Sequence, residues 1–297
     1  MNEMTSAALV DAALDTELDA LYLGGHSPAP GRTLFYALRW HLSLTNDSLP
    51  LASQARQGHA RKERPTLQQP ETWEATLLMA AALVDSSDPT IAPSERLAGA
   101  CGFLLSFDVY GRATDLPKAL AAELRAPARY QTGAASQWTL TLYPATAAAR
   151  ETQVSKTNTT DDTVAIGISN PKRRWLQTLC AGISRLPHPE GLLLGLSTKR
   201  YYQLFNHARA AAALPASSPH RLRHGGASVD SLQQGDAKLT DLDIASRGRW
   251  AALTSVRRYR QPATYLRELS KLTQEQVLKA KDLETSLPPL LRKLLKK

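Results

Sequence analysis

The sequence predicts a mainly helical fold that carries one small antiparallel β-sheet, an α+β class. Three observations predict it. Apolar residues recur at steps of three and four along most of the chain. The stretch 137–143 instead alternates and is rich in Trp, Thr, Leu and Tyr, which favours a strand, and 152–155 and 163–168 flank a turn-like segment. With 297 residues, of which 43% are hydrophobic, the chain can build a core for one large domain or two unequal ones.

The first element in chain order is a small helical bundle, predicted for residues 1–62. An apolar stripe from Val10 to Tyr22 predicts its first helix, and glycine at position 24 ends that helix. A second helix is predicted for residues 31–43, and a third follows it. The bundle is expected to form a domain of its own.

A polar, basic segment with two prolines, residues 58–70, predicts an exposed linker, and we place the domain boundary at 63–70. A second domain is expected at 71–272, followed by a basic tail helix at 273–297. The helices of this second domain are predicted at 71–84, 92–107, 172–185, 198–214 and from 217 onward. Its strands are predicted at 137–143, 152–155 and 163–168, around a turn-like segment.

The positive charge is concentrated at the C-terminal end of the chain. From Arg247 onward there are 13 Lys or Arg and four acidic residues, a net charge of +9. The whole chain also has a formal net charge of +9, so the residues before Arg247 carry no net charge. A basic region of this kind attracts a polyphosphate such as DNA, although a solvated basic tail gives the same count. Residues 1–50 carry a net charge of −4. That charge argues against strong DNA binding by the first bundle.

Several other classes of protein are not expected. Cys101 and Cys180 lie in apolar helical stretches, which predicts buried thiols and no disulfide. No apolar run has the length of a membrane span and the N-terminus is acidic, so an intracellular protein is expected. No phosphate-binding loop or dinucleotide fingerprint is visible. His220 and His224 could share a metal ion, but no third ligand is evident, so no metal is expected.

The most specific short string is His220-Arg-Leu-Arg223 at the start of a predicted helix. Residues three apart lie on one helix face, so both side chains can contact the same phosphate. The pair alone is common by chance. Upstream, Arg112 follows an apolar helix, and Asp115 stands three residues later as a hydrogen-bond acceptor that could hold helices together.

Two further features complete the set in chain order. Lys156 lies at the turn of the predicted sheet and is the only Lys or Arg between Arg150 and Lys172. Trp250 and Tyr259 are nine residues apart, and Arg257 and Arg258 precede the tyrosine. Taken singly, the lysine could be a solvated turn residue and the two aromatics could be packing residues.

Taken together, these boxes resemble the tyrosine recombinases, also called the phage integrase family. The resemblance covers about residues 71–269, and the first bundle is compatible with the family's core-binding (SAM-like) domain. The strings around Trp250 and Tyr259 are most similar to recombinases of eukaryotic mobile elements such as DIRS-like retrotransposons. Departures are Asp115 where the family usually has Glu, and Trp250 where it more often has His.

The resemblance implies a site and a reaction. Tyr259 would attack a DNA phosphodiester to give a 3′-phosphotyrosyl bond, while Arg112 and Arg223 bind the nonbridging oxygens. Lys156 would protonate the departing 5′ oxygen, and His220 would act as acid or base beside the tyrosine. The full implied set is Arg112, Lys156, His220, Arg223, Trp250 and Tyr259, supported by Asp115, with Arg257 and Arg258 on the DNA backbone. No cofactor is implied.

The resemblance also implies partners. Double-stranded DNA is the expected partner, bound by a homotetramer that exchanges the C-terminal helix, in the nucleus if the source is eukaryotic and otherwise in the cytoplasm. The open alternative for the tail is a helix folded on its own domain or a basic tail on DNA. Two other functions stay open: a type IB topoisomerase-like enzyme, and a catalytically inactive DNA-binding relic of a mobile element.

Overall fold

The computed structural model describes residues 3–62, 68–128, 132, 136–142, 162–186, 191–235 and 238–296. The chain divides into two compact units, Met1–Leu67 and Gln68–Lys297. Three sequence predictions lie outside the described residues: the strand at 152–155, Lys156, and most of the linker, at 63–67.

The first unit is a bundle of three helices, α1 (Glu3–Leu23), α2 (Pro28–His41) and α3 (Pro50–Lys62). Its core consists of Leu14, Leu18, Phe35, Leu49 and Ala52. The prediction of three helices within residues 1–62 is confirmed. The polar segment that begins at residue 58 is not all exposed linker, because residues 58–62 form the last turn of α3, where His59 is buried and its Nε2 contacts the His26 carbonyl oxygen at 3.0 Å.

The second unit contains the remaining helices and the sheet. Its α-helices are α4 (Trp73–Val84), α5 (Pro93–Asp108), α6 (Asp115–Lys118), α7 (Gln177–Ile183), α8 (Thr198–Ala211), α9 (His220–Asp230), α10 (Asp241–Gly248), α11 (Leu253–Tyr259), α12 (Pro262–Leu269) and α13 (Gln274–Leu294). Short 3₁₀ helices lie at Ala121–Glu123 and Pro171–Leu176. The helix predicted at 172–185 therefore begins as a 3₁₀ helix and becomes α7.

Helices α4 and α5 form the centre of the second unit. Nearly every residue of α4 is buried, as expected for a helix that is apolar on all sides. Thr72 caps its N-terminus by accepting a hydrogen bond from the Ala75 amide at 3.1 Å. Both cysteines are buried and free, which confirms the prediction for them.

The terminal helix α13 packs on the second unit of its own chain. Ala280, Leu287 and Leu291 are fully buried in the same core as α4 and α7. The fit is close, because a Cβ added at Gly182 of α7 would lie 2.5 Å from the Leu295 Cβ. In a single chain one face of the tail helix is thus packed on the core, while Val277, Leu278 and Leu290 are exposed. Exchange of this helix between chains stays a prediction.

The sheet has three antiparallel strands in the order β1 (Leu124–Arg125), β2 (Thr139–Thr141) and β3 (Thr163–Ala165). The predicted strands at 137–143 and 163–168 are confirmed but shorter. β3 ends at Ala165 because the chain turns at Gly167, whose φ is +67°. β1 was missed, since two residues leave no alternation to detect.

The mainly helical class with one small antiparallel sheet is confirmed. Among the described helices, none combines the length and the apolar character that crossing a membrane requires.

Candidate active site

Helix α9 carries the His220-to-Arg223 string and lies unusually close to its neighbours. A Cβ added at Gly225 would lie 2.1 Å from the Glu71 carbonyl oxygen, and one at Gly226 would lie 2.1 Å from the Phe107 carbonyl oxygen. Real side chains cannot approach backbone that closely. The glycine pair therefore lets α9 pack against the end of α5, which brings Arg223 into contact with the residues that follow α5.

Arg223 is fully buried and held by two backbone carbonyls. Its Nη1 donates to the Tyr110 oxygen at 2.7 Å, and its Nη2 donates to the Gly248 oxygen at 2.8 Å. The guanidinium carbon lies 4.9 Å from the ring centroids of both Trp250 and Tyr259. Its Nε is buried and has no acceptor among the described residues. The guanidinium is thus fixed in orientation while one N–H stays unused.

Aromatic rings form a column beside this guanidinium. Trp250 stacks on Tyr259 with ring centroids 4.6 Å apart and an interplanar angle of 9°, and Tyr110 also stacks on the indole, with centroids 6.2 Å apart and an angle of 18°. His224 continues the column at 4.6 Å from the Tyr259 ring. The indole Nε1 of Trp250 is buried and also lacks an acceptor in the described part of the chain. Tyr259 belongs to this column; it is the last residue of α11 and its side chain is half-buried.

Two histidines of α9 flank the tyrosine. The ring centroids of His220 and Tyr259 are 6.1 Å apart, and those of His220 and His224 are 5.2 Å apart. Burial, followed by the nearby charges of Arg223 and Arg112, lowers the pKa of His220. Burial and the neighbouring His220 lower the pKa of His224 to about 3. Both rings are therefore neutral near pH 7. With a pKa of about 3, His224 is too weak a base to take up a proton at that pH.

Asp115 connects two segments of the site, the one that carries Arg112 and the one that carries Arg249. Its Oδ2 accepts from the Arg112 backbone N–H at 2.8 Å and from Arg249 Nη2 at 3.0 Å. Arg249 is buried in a left-handed conformation with φ +54° at the end of α10. The half-buried Arg112 adds its charge to the same cluster. Burial, followed by the charges of Arg249 and Arg112, lowers the pKa of Arg223 to about 10. Among the described residues, the site holds three guanidiniums, Arg112, Arg223 and Arg249, against the two carboxylates of Asp115 and Asp162, an excess of positive charge.

A buried ionic network is connected to this cluster through Tyr110. Arg173 donates to Asp108 at 2.8 Å and to Asp230 at 2.6 Å, and all three side chains are nearly inaccessible. Arg247 Nη2 donates to Asp108 at 2.9 Å, and the Tyr110 hydroxyl donates to Asp230 at 2.6 Å. Buried charges that are paired and hydrogen-bonded hold their partners in one geometry. The network thereby fixes Tyr110, whose carbonyl and ring contact the site.

The structure brings most of the predicted residues together. Arg112, Asp115, His220, Arg223, Trp250 and Tyr259 form one cluster, as their described contacts indicate. Arg257 and Arg258 are exposed on α11 beside it. Lys156 lies outside the described residues. The tyrosine at 265 is set apart from the cluster: its hydroxyl is buried, accepts from the Trp73 amide at 2.9 Å and donates to Glu74 at 3.3 Å.

Sequence reasoning missed several residues of the site. Tyr110, Arg173 and Arg249 were given no role from the sequence. Their partners lie between 57 and 140 positions away, so no local spacing signals these contacts. Within the described residues, no group of three His, Cys, Asp or Glu side chains is placed to bind a metal ion. No protein-family model matches the chain, and no curated protein is significantly similar to it.

Excess positive charge and two unused N–H donors predict that the site binds a tetrahedral dianion. We expect inorganic phosphate at ten times its Kd to stabilise the protein by about 1.4 kcal/mol, which corresponds to a rise in Tm of roughly 3–6 °C. Differential scanning fluorimetry at constant ionic strength, with chloride as the reference salt, measures this rise. Arg223→Lys should remove most of it. The matched variant Arg200→Lys, in which the replaced guanidinium pairs with Glu95, should retain it. Equal responses to phosphate and chloride would contradict the assignment.

The lowered pKa of His224 predicts acid destabilisation. The folded state holds a proton on this ring less tightly than the unfolded state, whose histidine pKa is near 6.5. Stability is therefore full above pH 6.5 and is lost as pH falls toward the folded pKa of about 3. Each such proton contributes a slope of about 1.4 kcal/mol per pH unit. Denaturant unfolding between pH 7 and 5 should show a shallower slope in His224→Gln than in the wild type. An identical slope would show that His224 is not the titrating group.

Proposed function

We propose that the protein cuts and rejoins DNA by transesterification, with Tyr259 as the nucleophile. The observation that carries the proposal is the pair of buried, unused donors Arg223 Nε and Trp250 Nε1, which belong to two side chains that both lie against the Tyr259 ring. Buried donors without acceptors are rare in folded proteins, and at a site with excess positive charge they favour an anionic ligand. A phosphodiester provides the oxygens that such donors require.

The proposed chemistry assigns a role to each group. The Tyr259 oxygen attacks phosphorus and the bond from phosphorus to the 5′ oxygen breaks, which leaves a 3′-phosphotyrosyl link and a 5′-hydroxyl. Arg112 and Arg223 neutralise the nonbridging oxygens of the five-coordinate transition state. His220, neutral near pH 7, accepts the tyrosine proton. Lys156 donates a proton to the departing oxygen, a role that rests on the family resemblance alone.

Attack by the 5′-hydroxyl on the phosphotyrosine reverses the first step. The phosphodiester energy is retained in the covalent link, so rejoining needs no nucleotide. The exposed Arg257 and Arg258 next to Tyr259 are proposed to contact the DNA backbone, where each phosphate contact contributes to a salt-dependent affinity. Integration or excision of a mobile element is the proposed role, following the resemblance.

One observation also fits a second enzymatic function, that of a topoisomerase acting as a monomer. Helix α13 packs on its own chain, and such a monomer exchanges no helix with a second chain. A topoisomerase would relax supercoiled plasmid without joining different molecules. A recombinase would join two DNA molecules and would show a steep dependence on protein concentration. The two activities are distinguished by gel electrophoresis of labelled plasmid and linear DNA incubated together.

The test of the proposed function uses supercoiled plasmid, because the target sequence is unknown. The protein is incubated with plasmid in excess EDTA, trapped with detergent, and digested with nuclease and trypsin. Mass spectrometry should then find a nucleotide on the peptide that contains Tyr259. DNA duplexes nicked near candidate element ends serve as a second substrate, since loss of a short cleaved strand prevents rejoining. Absence of any adduct on both substrates would overturn the proposal.

A further inference from the structure

We infer that Ser228 is a positioning residue that fixes Tyr259 against the α9 helix of its own chain, an inference that rests on the proposed function. Ser228 is fully buried, and its hydroxyl makes two hydrogen bonds to the backbone on either side of Arg260. It donates to the Tyr259 carbonyl oxygen at 3.2 Å and accepts from the Gln261 amide at 2.9 Å. The donor and one acceptor site of this hydroxyl are thereby spent on the segment that carries the nucleophile.

The main chain of this segment needs such an anchor because α11 is short and mostly exposed, and the described contacts of Tyr259 with its neighbours are otherwise made by its ring. The helix has seven residues, and Val256 is its only buried residue. Its last backbone carbonyls have no helical partners beyond Tyr259 and must be satisfied by other groups. The Ser228 hydroxyl donates to the carbonyl of Tyr259, and the Gln261 side-chain amide donates to the carbonyl of Arg258 at 2.8 Å. The position of Tyr259 therefore depends on side-chain caps.

The spacing along α9 connects this anchor to the catalytic groups. His220, His224 and Ser228 are four residues apart, so they form one stripe on one face of the helix. The two histidine rings contact the Tyr259 ring, and the serine contacts the backbone of the same residue. One rigid helix thus sets both the ring and the main chain of the nucleophile. It follows that Tyr259 acts within the site of its own chain.

The first test compares three serine variants in the covalent-adduct assay. Ser228→Ala removes both hydrogen bonds, and displacement of a nucleophile by about 1 Å can cost on the order of 100-fold in rate. We expect adduct formation to slow roughly 10–100-fold with DNA affinity unchanged. Ser228→Thr retains the hydroxyl and should restore most of the rate. Ser231→Ala is the matched control on the same helix, because its hydroxyl bonds only to the Ser228 carbonyl. An unaltered rate in Ser228→Ala would overturn the inference.

The second test does not require DNA cleavage. Hydrogen exchange followed by mass spectrometry measures the protection of the Gln261 amide, whose acceptor is the Ser228 hydroxyl. Faster exchange around residue 261 in Ser228→Ala, but not in Ser231→Ala, supports the anchor even if the wild type forms no adduct. In that case only the proposed function fails. Unchanged exchange in Ser228→Ala would overturn the anchor whatever the activity.

The third test asks in which chain the tyrosine acts. Tyr259→Phe and Arg223→Ala proteins are each expected to be inactive and are mixed on the same DNA. If Tyr259 acts within its own chain, no site in the mixture contains both groups and no adduct forms. Recovery of adduct in the mixture would show delivery between chains and would overturn the inference.

Discussion

Tyr259→Phe is expected to abolish the covalent adduct with DNA while leaving the fold and the DNA affinity intact. The substitution removes one hydroxyl from a half-buried ring whose stacking on Trp250 does not depend on it. The other described tyrosine of the cluster, Tyr110, has a buried ring, and its hydroxyl donates to Asp230 at 2.6 Å, so it is not available as a nucleophile. The adduct should therefore fall below detection in the plasmid assay, with an unchanged Tm and an unchanged gel-shift affinity.

Tyr265→Phe is the matched control, because it also removes one tyrosine hydroxyl from the C-terminal part of the chain. That hydroxyl is buried and accepts a hydrogen bond from the Trp73 amide. Its loss should reduce stability by about 1–3 kcal/mol, since a buried donor is left without a partner. Adduct formation by the folded protein should persist. A nucleotide found on the peptide of residue 265 would overturn the assignment of the nucleophile.

The local features of the site could be predicted from the sequence, because helix geometry fixes them. A three-residue spacing on a helix places His220 and Arg223 on one face, whatever the rest of the fold. Asp115 accepts from the backbone of Arg112 three residues away, in the turn that precedes α6. Features of this kind depend on neighbours in the chain. The choice of Arg112, Trp250 and Tyr259 came instead from the order of the motifs and the family resemblance, because their contacts with Arg223 are not local.

The remaining features depend on contacts between distant parts of the chain. The glycine pair at 225–226 is a poor choice for a helix interior by propensity alone, and its reason is the approach of the Phe107 and Glu71 carbonyls. Tyr110 contacts Asp230 across 120 positions. The short strand β1 has too few residues to show a pattern. Sequence reasoning could not identify these features, because nothing within a window of neighbouring residues distinguishes them.

Arg223→Lys is expected to slow adduct formation by on the order of 10³-fold, or about 4 kcal/mol. Lysine keeps the positive charge, so a purely electrostatic role would leave most of the rate. The guanidinium, however, donates at the same time to the Tyr110 and Gly248 carbonyls and keeps Nε without an acceptor among the described residues. An ammonium group cannot keep both carbonyls and also offer a planar donor to phosphate.

The rate of adduct formation under single-turnover conditions measures this loss, and a gel shift with uncleaved DNA measures affinity. Affinity should change little, because one phosphate contact among several contributes a small part of DNA binding. Arg221→Lys is the matched control on the same helix, since its guanidinium donates to the Pro70 carbonyl and to Glu268, away from Tyr259. That variant should cleave within a few-fold of the wild type once folded. If Arg223→Lys cleaves as fast as Arg221→Lys, the buried guanidinium does not bind the reacting phosphate, and its two carbonyl contacts serve only the packing of α9.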